Sequence, residues 1–175
     1  QKGQIYLSEL NLNQEFNQIE YPYRPVFRGS SPVFNNQGER IGVVIINYSA
    51  ASFLSSLQVD SNLCDFYLVD NQGRYIGHKD FNTQIAALKH LENSPNIFND
   101  FPSIEDELNA NKQAFYNESG LWIINHLIPT EIFNKNSNWQ TEDSELVSPN
   151  DWRLISHIPE NKIQALLAGT YWTVV

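Results

Sequence analysis

The chain has 175 residues, 41% apolar and 13% aromatic, enough for one sizeable hydrophobic core or two small ones. Its net charge of −9 argues against nucleic acid and against charge-driven docking on anionic lipid, because both need lysine and arginine. Cys64 is the lone cysteine, which excludes an intrachain disulfide and a cysteine-based zinc finger.

In chain order, Gln4 to Leu12 alternates Ile5 and Leu7 with Tyr6 and Ser8 and predicts a strand. Asn13 to Tyr23 is polar and predicts a loop. Arg24 to Phe34 predicts a strand that Pro25 and Pro32 should confine to a sheet edge or break. Arg40 to Tyr48 predicts a strong strand. Its run Ile41-Gly42-Val43-Val44-Ile45-Ile46 is apolar on both faces, so both faces are expected to be covered. Ser49 should cap a short helix through Phe53, Leu54 and Leu57.

The second half opens with strands over Asp65–Asp70 and Arg74–His78. Thr83 to Leu91 predicts a helix, and Pro95 stops anything longer. Ser103-Ile104-Glu105-Asp106 has the form of a capping box before a short acidic helix. Ala114–Tyr116 and Leu121–Ile128 predict a hairpin around Asn117-Glu118-Ser119-Gly120. Pro129 to Pro149 is polar and predicts a long loop, and Trp152 to Ile158 predicts the last strand. Pro159 suits the first position of a closing helix. From Ile163 to Val175 no residue is charged, and the stretch has the look of the opening of a membrane span. The chain holds no Met, as expected of one that begins after a processed or excised segment.

Two segments nearly repeat: Asn36-Gln37-Gly38-Glu39-Arg40-Ile41-Gly42 and Asn71-Gln72-Gly73-Arg74-Tyr75-Ile76-Gly77. Each follows a β-rich run and precedes a candidate return strand, so each predicts a tight hairpin turn with its third residue, Gly38 or Gly73, at positive φ. Strand, strand, helices, strand, strand is the order of a PAS-like module. Residues 60–159 supply all of it, whereas residues 1–49 supply only three strands of another.

Around the first repeat lie Tyr6-Leu7-Ser8-Glu9-Leu10, Tyr21-Pro22-Tyr23-Arg24-Pro25-Val26-Phe27-Arg28-Gly29-Ser30-Ser31-Pro32-Val33-Phe34 and Gly42-Val43-Val44-Ile45-Ile46-Asn47-Tyr48. This string resembles the distal half of double Cache domains, the PAS-like extracytoplasmic sensors of bacterial histidine kinases, chemoreceptors and diguanylate cyclases. Tyr67-Leu68-Val69-Asp70-Asn71-Gln72-Gly73-Arg74-Tyr75-Ile76-Gly77-His78 resembles the membrane-proximal module less strongly. The resemblance implies an α+β fold of PAS-like antiparallel sheets flanked by helices, in two tandem modules with the N-terminal one incomplete. The expected division is 1–49 for the last strands of the distal module, 50–59 for a connector helix, 60–159 for the proximal module, and 160–175 for an exit helix that begins a transmembrane segment.

The implied role is ligand sensing outside the cytoplasm for a transmembrane signalling protein, foremost a sensor histidine kinase. The alternatives are a membrane diguanylate cyclase, a chemoreceptor, or a periplasmic binding module without signalling. The partners implied are a small-molecule ligand or a periplasmic protein, the inner membrane through flanking helices, and a second copy in a homodimer.

No catalytic constellation, cofactor motif or metal-ligand spacing stands in the chain, and the segment is not expected to be an enzyme. The candidate ligand-binding residues are Arg24, Arg28 and Asn47 in the first half and Tyr67, Tyr75, His78, Tyr116, Trp122 and His126 in the second. Arg24 and Arg28 sit four apart on an expected strand and would share a face, fit for a carboxylate; a salt bridge to Glu9, Glu15 or Glu20 is the structural alternative. Asn47 ends an apolar strand. In amino-acid-binding double Cache proteins the matching residue is an Asp that holds the ligand's ammonium group, and Asn has no charge to offer. Its alternative is a strand-end cap. The aromatic and polar residues of the second half are of the kind that lines a PAS-like sheet, or that packs its core.

Overall fold

A computed structural model of the chain describes residues 3–57, 61–89, 94–128, 130–131 and 145–171, the last three of these by backbone alone. The first half runs β1 (Gln4–Leu7), β2 (Asn11–Leu12), β3 (Gln14–Glu15), β4 (Gln18–Ile19), β5 (Pro25–Phe34), β6 (Arg40–Ser49) and helix α1 (Ala51–Ser56). The second runs β7 (Asp65–Asp70), β8 (Tyr75–Gly77), α2 (Phe81–Leu88), α3 (Ile97–Asp100), a 3₁₀ turn (Pro102–Ile104) and α4 (Glu105–Asn109). It closes with β9 (Ala114–Asn117), β10 (Gly120–Leu127), β11 (Glu145–Val147), β12 (Trp152–Pro159) and α5 (Glu160–Tyr171).

Two five-stranded sheets and a small β3–β4 hairpin result. In the second sheet the order is β8-β7-β12-β10-β9, antiparallel throughout, with helices α2 to α4 in the crossover from β8 to β9. The first sheet pairs β5 with β1 and β2 on one side and with β6 on the other. The α+β class expected from the sequence is the class observed, with a single parallel pair, β1 with β11, as the departure among the described strands.

Both repeats are hairpin turns. In the first, the Asn35 side chain accepts from the amides of Gln37 and Glu39, each at 2.9 Å, and Gly38 has φ +83°. In the second, the Asp70 carboxylate accepts from the amides of Gln72 and Arg74 at the same 2.9 Å, and Gly73 has φ +78°. A short acceptor before the turn holds the chain end while glycine takes the left-handed conformation.

Strict alternation sends β7 into two cores. Leu68 faces a cluster with Trp152, Ile76, Leu54 of α1, Ile85 and Leu88 of α2, and Leu10, Leu12 and Phe27 of the first sheet. Tyr67 and Val69 face the opposite cluster, with Tyr75, Trp122 and Ile155 under Ile97, Ile104 and Leu108. The first cluster joins the two sheets; the second lies beneath the helical crossover.

Several expectations are corrected. The strand holding Pro25 and Pro32 is central rather than marginal. Pro25 opens it and Pro32 lies beyond its last paired residue with β1, so neither missing amide interrupts that ladder. β6 is exposed along its entire length, with Val43 51% and Ile45 63% accessible, so it is not covered on both faces. Its free edge has no strand beside it among the described residues. Mid-strand apolar residues of the second sheet divide: Ile123 sits outside the core at 39% exposure, whereas Val69 and Ile155 are buried.

The stretch 129–149 is not all loop, because β11 crosses back to pair with β1. The Ser103 capping box does not form; Ile104 occupies the cap, and the Ser103 hydroxyl accepts from Asn117 instead. Helix α2 starts at Phe81 rather than Thr83, because Asp80 caps it by accepting from the Thr83 amide at 2.9 Å. The expected end of that helix at Leu91 lies outside the described residues. Ser49 flanks α1 while Ala50 takes its cap position.

Candidate functional site

The helix-covered face of the second sheet gathers Tyr67 of β7, Tyr75 of β8, Trp122 of β10 and His157 of β12. Trp122 is fully buried and stacks flat on His157, ring centroids 3.8 Å apart and 8° from parallel. Phe101, from the turn after α3, meets Trp122 edge-on at 5.0 Å and His157 at 5.3 Å. Tyr67 and Tyr75 lie 5.8 Å apart, and His78 sits 4.8 Å from Tyr75. Edge-to-face and offset contacts of this kind suit the quadrupole of aromatic rings.

The polar ends of these rings are mostly answered. Trp122 Nε1 donates to Asn117 at 3.1 Å, and the Tyr75 hydroxyl donates to Asp100 at 2.6 Å. Burial, then the bond to Asp100, pushes the Tyr75 hydroxyl well above the usual phenol range; burial and the Asp65 charge do the same for Tyr67. His157 Nε2 lies 3.0 Å from the Ser119 carbonyl and must therefore carry the hydrogen in the neutral ring. That leaves Nδ1 buried without a partner, and burial lowers the His157 pKa.

Two clefts open beside this cluster. One, of about 310 Å³, is bordered by Cys64, Asp65, Tyr67, His78 and Lys79, where Lys79 and Asp65 pair at 2.6 Å. The other, of about 780 Å³, lies between the end of α4 and strands β9, β10 and β12. Leu108, Lys112, Ala114, Ile124, His126 and Arg153 border it. His126 and Arg153 are directly opposed in the β10–β12 ladder. His126 Nε2 approaches Asp151 at 2.5 Å and Lys112 pairs with Glu107 at 2.5 Å. Arg153 is only 9% exposed, and its Nη1 has no partner.

The nine residues proposed from the sequence are therefore dispersed. Tyr67, Tyr75, His78 and Trp122 share one cluster, and His126 borders the larger cleft. Tyr116 is 59% exposed and donates to Glu160, the first residue of α5. Arg24, Arg28 and Asn47 belong to the first sheet. Arg24 precedes β5 and pairs with Glu20 at 3.5 Å, so it shares no strand face with Arg28. Asn47 opposes Arg28 across the β5–β6 ladder and donates to Asn13 at 3.3 Å. Arg153 and His157 were not among the candidates. Their signal was available: they alternate in phase with buried Ile155 along β12, which places all three on one face.

No family model matches the chain, and neither does any curated protein. Solved structures do match. A domain of a sensory box/GGDEF family protein from Vibrio parahaemolyticus superposes with a TM-score of 0.67 at 17% identity, over 93% of this chain and 55% of that one. The extracellular domain of the histidine kinase vpHK1S-Z8 gives 0.65 at 20% identity, over 94% and 53%. The chain carries the fold of a bacterial sensory domain. The ligand-binding domain of the Pseudomonas aeruginosa amino acid chemoreceptor PctB, in complex with L-Arg, gives 0.52 at 16% identity, over 99% and 57%. The chain thus spans about half the length of these structures. These neighbours are sensory and ligand-binding domains rather than catalytic ones.

Proposed function

We propose that this chain is the extracytoplasmic ligand-sensing part of a bacterial transmembrane signalling protein of double Cache type. Residues 1–49 would be the closing strands of the distal module, 50–59 the connector, 60–159 the proximal module, and 160–175 the exit helix entering the inner membrane. The parent would be a homodimeric sensor histidine kinase, with this portion in the periplasm. A membrane diguanylate cyclase is the second reading, favoured by the match to the GGDEF-family sensory domain.

The observation that carries the proposal is the junction of β12 and α5. Strand β12 holds both Arg153 and His157 and passes into α5 at Glu160 with no intervening loop. The Glu160 amide donates to the Ser119 carbonyl at 3.0 Å, and its carboxylate accepts from Tyr116, so the helix start is tied to the β9–β10 hairpin. A shift of the sheet would move the helix with it. Among the described residues no helix is long and apolar enough to cross a membrane.

Ligand can drive such a shift only by binding one state better than the other. A thermal-shift screen of the chain against amino acids, organic acids and polyamines tests the sensing role. A ligand should raise the melting temperature progressively with concentration. A flat response across all three classes would count against small-molecule sensing by this part.

A further inference from the structure

Gln84 is the buried polar group that helix α2 leaves unanswered. It is only 2% exposed, beside Ile85 and one turn before Leu88, both of which pack toward the first half. Its Oε1 is shut away from solvent without a donor, and its Nε2 makes no hydrogen bond among the described residues. A buried amide held so costs stability, because it has given up water and gained no partner.

Gln84 borders a cleft of about 330 Å³ between the two halves, at the small end of the range for small-molecule sites. Tyr23 and Pro25 at the start of β5, Leu54 of α1 and Phe81 of α2 give this cleft apolar walls. Its other polar side chains are engaged. The Tyr23 hydroxyl accepts from Lys89 at 3.0 Å, and Arg24 pairs with Glu20 at 3.5 Å. The Ser49 hydroxyl accepts from the Ala51 amide at 3.4 Å, and the Ser55 hydroxyl donates to the Ser52 carbonyl at 2.9 Å. What remains is one uncharged amide in an apolar recess.

We infer that this cleft binds a small uncharged carboxamide or lactam. Such a group carries an N–H and a carbonyl side by side and answers both ends of the Gln84 amide. The terminal torsion of glutamine is broad, so the amide plane can turn to meet them. The apolar body of the ligand lies against Phe81 and Leu54. An ion would enter with a charge that no unpaired side chain of the cleft meets. An ester or a tertiary amide accepts from Nε2 but leaves Oε1 without a donor. A ligand here touches β5, α1 and α2 at once and so bridges the two halves. The proposed sensing role does not depend on this cleft, and a failure here leaves it standing.

The test is calorimetric titration of the chain with benzamide and δ-valerolactam. N,N-dimethylbenzamide, which lacks the N–H, and sodium benzoate, which adds a charge, serve as comparators. Saturable binding of at least one of the first two is expected, with the comparators at least tenfold weaker. Gln84→Leu keeps the volume and removes the unanswered amide, so it should abolish binding and raise the melting temperature. Ala51→Trp fills the cleft with Gln84 intact and should weaken binding at least tenfold, so the result does not depend on one variant.

Absence of binding by both benzamide and δ-valerolactam would overturn the inference. So would an affinity unchanged in Gln84→Leu or Ala51→Trp, or a comparator that binds as tightly as benzamide. A lowered melting temperature in Gln84→Leu would show that the amide is already satisfied within the fold, and would overturn it as well.

Discussion

Replacing Trp122 with alanine removes the centre of the aromatic cluster. A fully buried Trp withdraws roughly 200 Å² from water, which at about 25 cal/mol per Å² is about 5 kcal/mol. Residual compactness of the unfolded chain lowers that to roughly 3–4.5 kcal/mol, within the usual range for Trp→Ala in a core. The lost Nε1 bond adds little, because the Asn117 oxygen keeps the Ser119 amide at 3.0 Å and the Ser119 hydroxyl at 2.7 Å. Trp122→Phe retains a ring against His157 and should cost about 1–2 kcal/mol. Urea unfolding followed by far-ultraviolet circular dichroism reads both changes without relying on Trp fluorescence. With a slope of about 2 kcal/mol per M, the alanine variant should lose roughly 2 M from its midpoint. A loss below about 0.5 M would show that Trp122 does not organise this core.

Other perturbations probe separate parts of the fold. Burial holds the His157 pKa below its unfolded value of about 6.5, so the unfolded chain takes up that proton first as pH falls. The stability from keeping the ring neutral is complete above about pH 6.5 and is lost as pH drops through the lower folded value. His157→Phe should therefore flatten the fall in urea midpoint from pH 7 to pH 5, and parallel profiles would refute this. Gly73→Ala forces a Cβ to 2.6 Å from the Phe98 ring at positive φ, whereas Gly38→Ala meets open space at a similar φ. The first should cost about 3 kcal/mol or more and the second about 1–2 kcal/mol, measured by thermal unfolding; equal costs would contradict the packing over Gly73. Ile45→Lys on exposed β6 should change stability by less than about 0.5 kcal/mol and reduce self-association in sedimentation. Marked destabilisation would place Ile45 in a core.

What could be read from the residues was local. The paired Asn-Gln-Gly segments announce both hairpins because the turn chemistry lies within a few residues. The β7, β10 and β12 strands are long enough for their alternation to show. β6 was misjudged for a physical reason: an apolar run records a preference to avoid water and does not say which surface covers it. β11 escaped notice because three residues carry no periodicity, and its partner β1 lies about 140 positions away. The candidate site parted for a similar reason. Residue type marked the rings and bases as capable of contact, but the separation of Arg24, Arg28 and Asn47 from the second sheet is a property of topology. Arg153 was passed over as an ordinary charge, though its place in phase with Ile155 marks it as inward-facing.

The central claim is that ligand state in this domain reaches the membrane through α5. Inserting Gly-Gly after Lys162, in the full-length protein, tests it most directly, because two glycines break the helix between its anchored start and its exit. The account predicts that ligand no longer changes the output, while ligand affinity in this chain carrying the same insertion is unaltered. An equal ligand-dependent output before and after the insertion would contradict it.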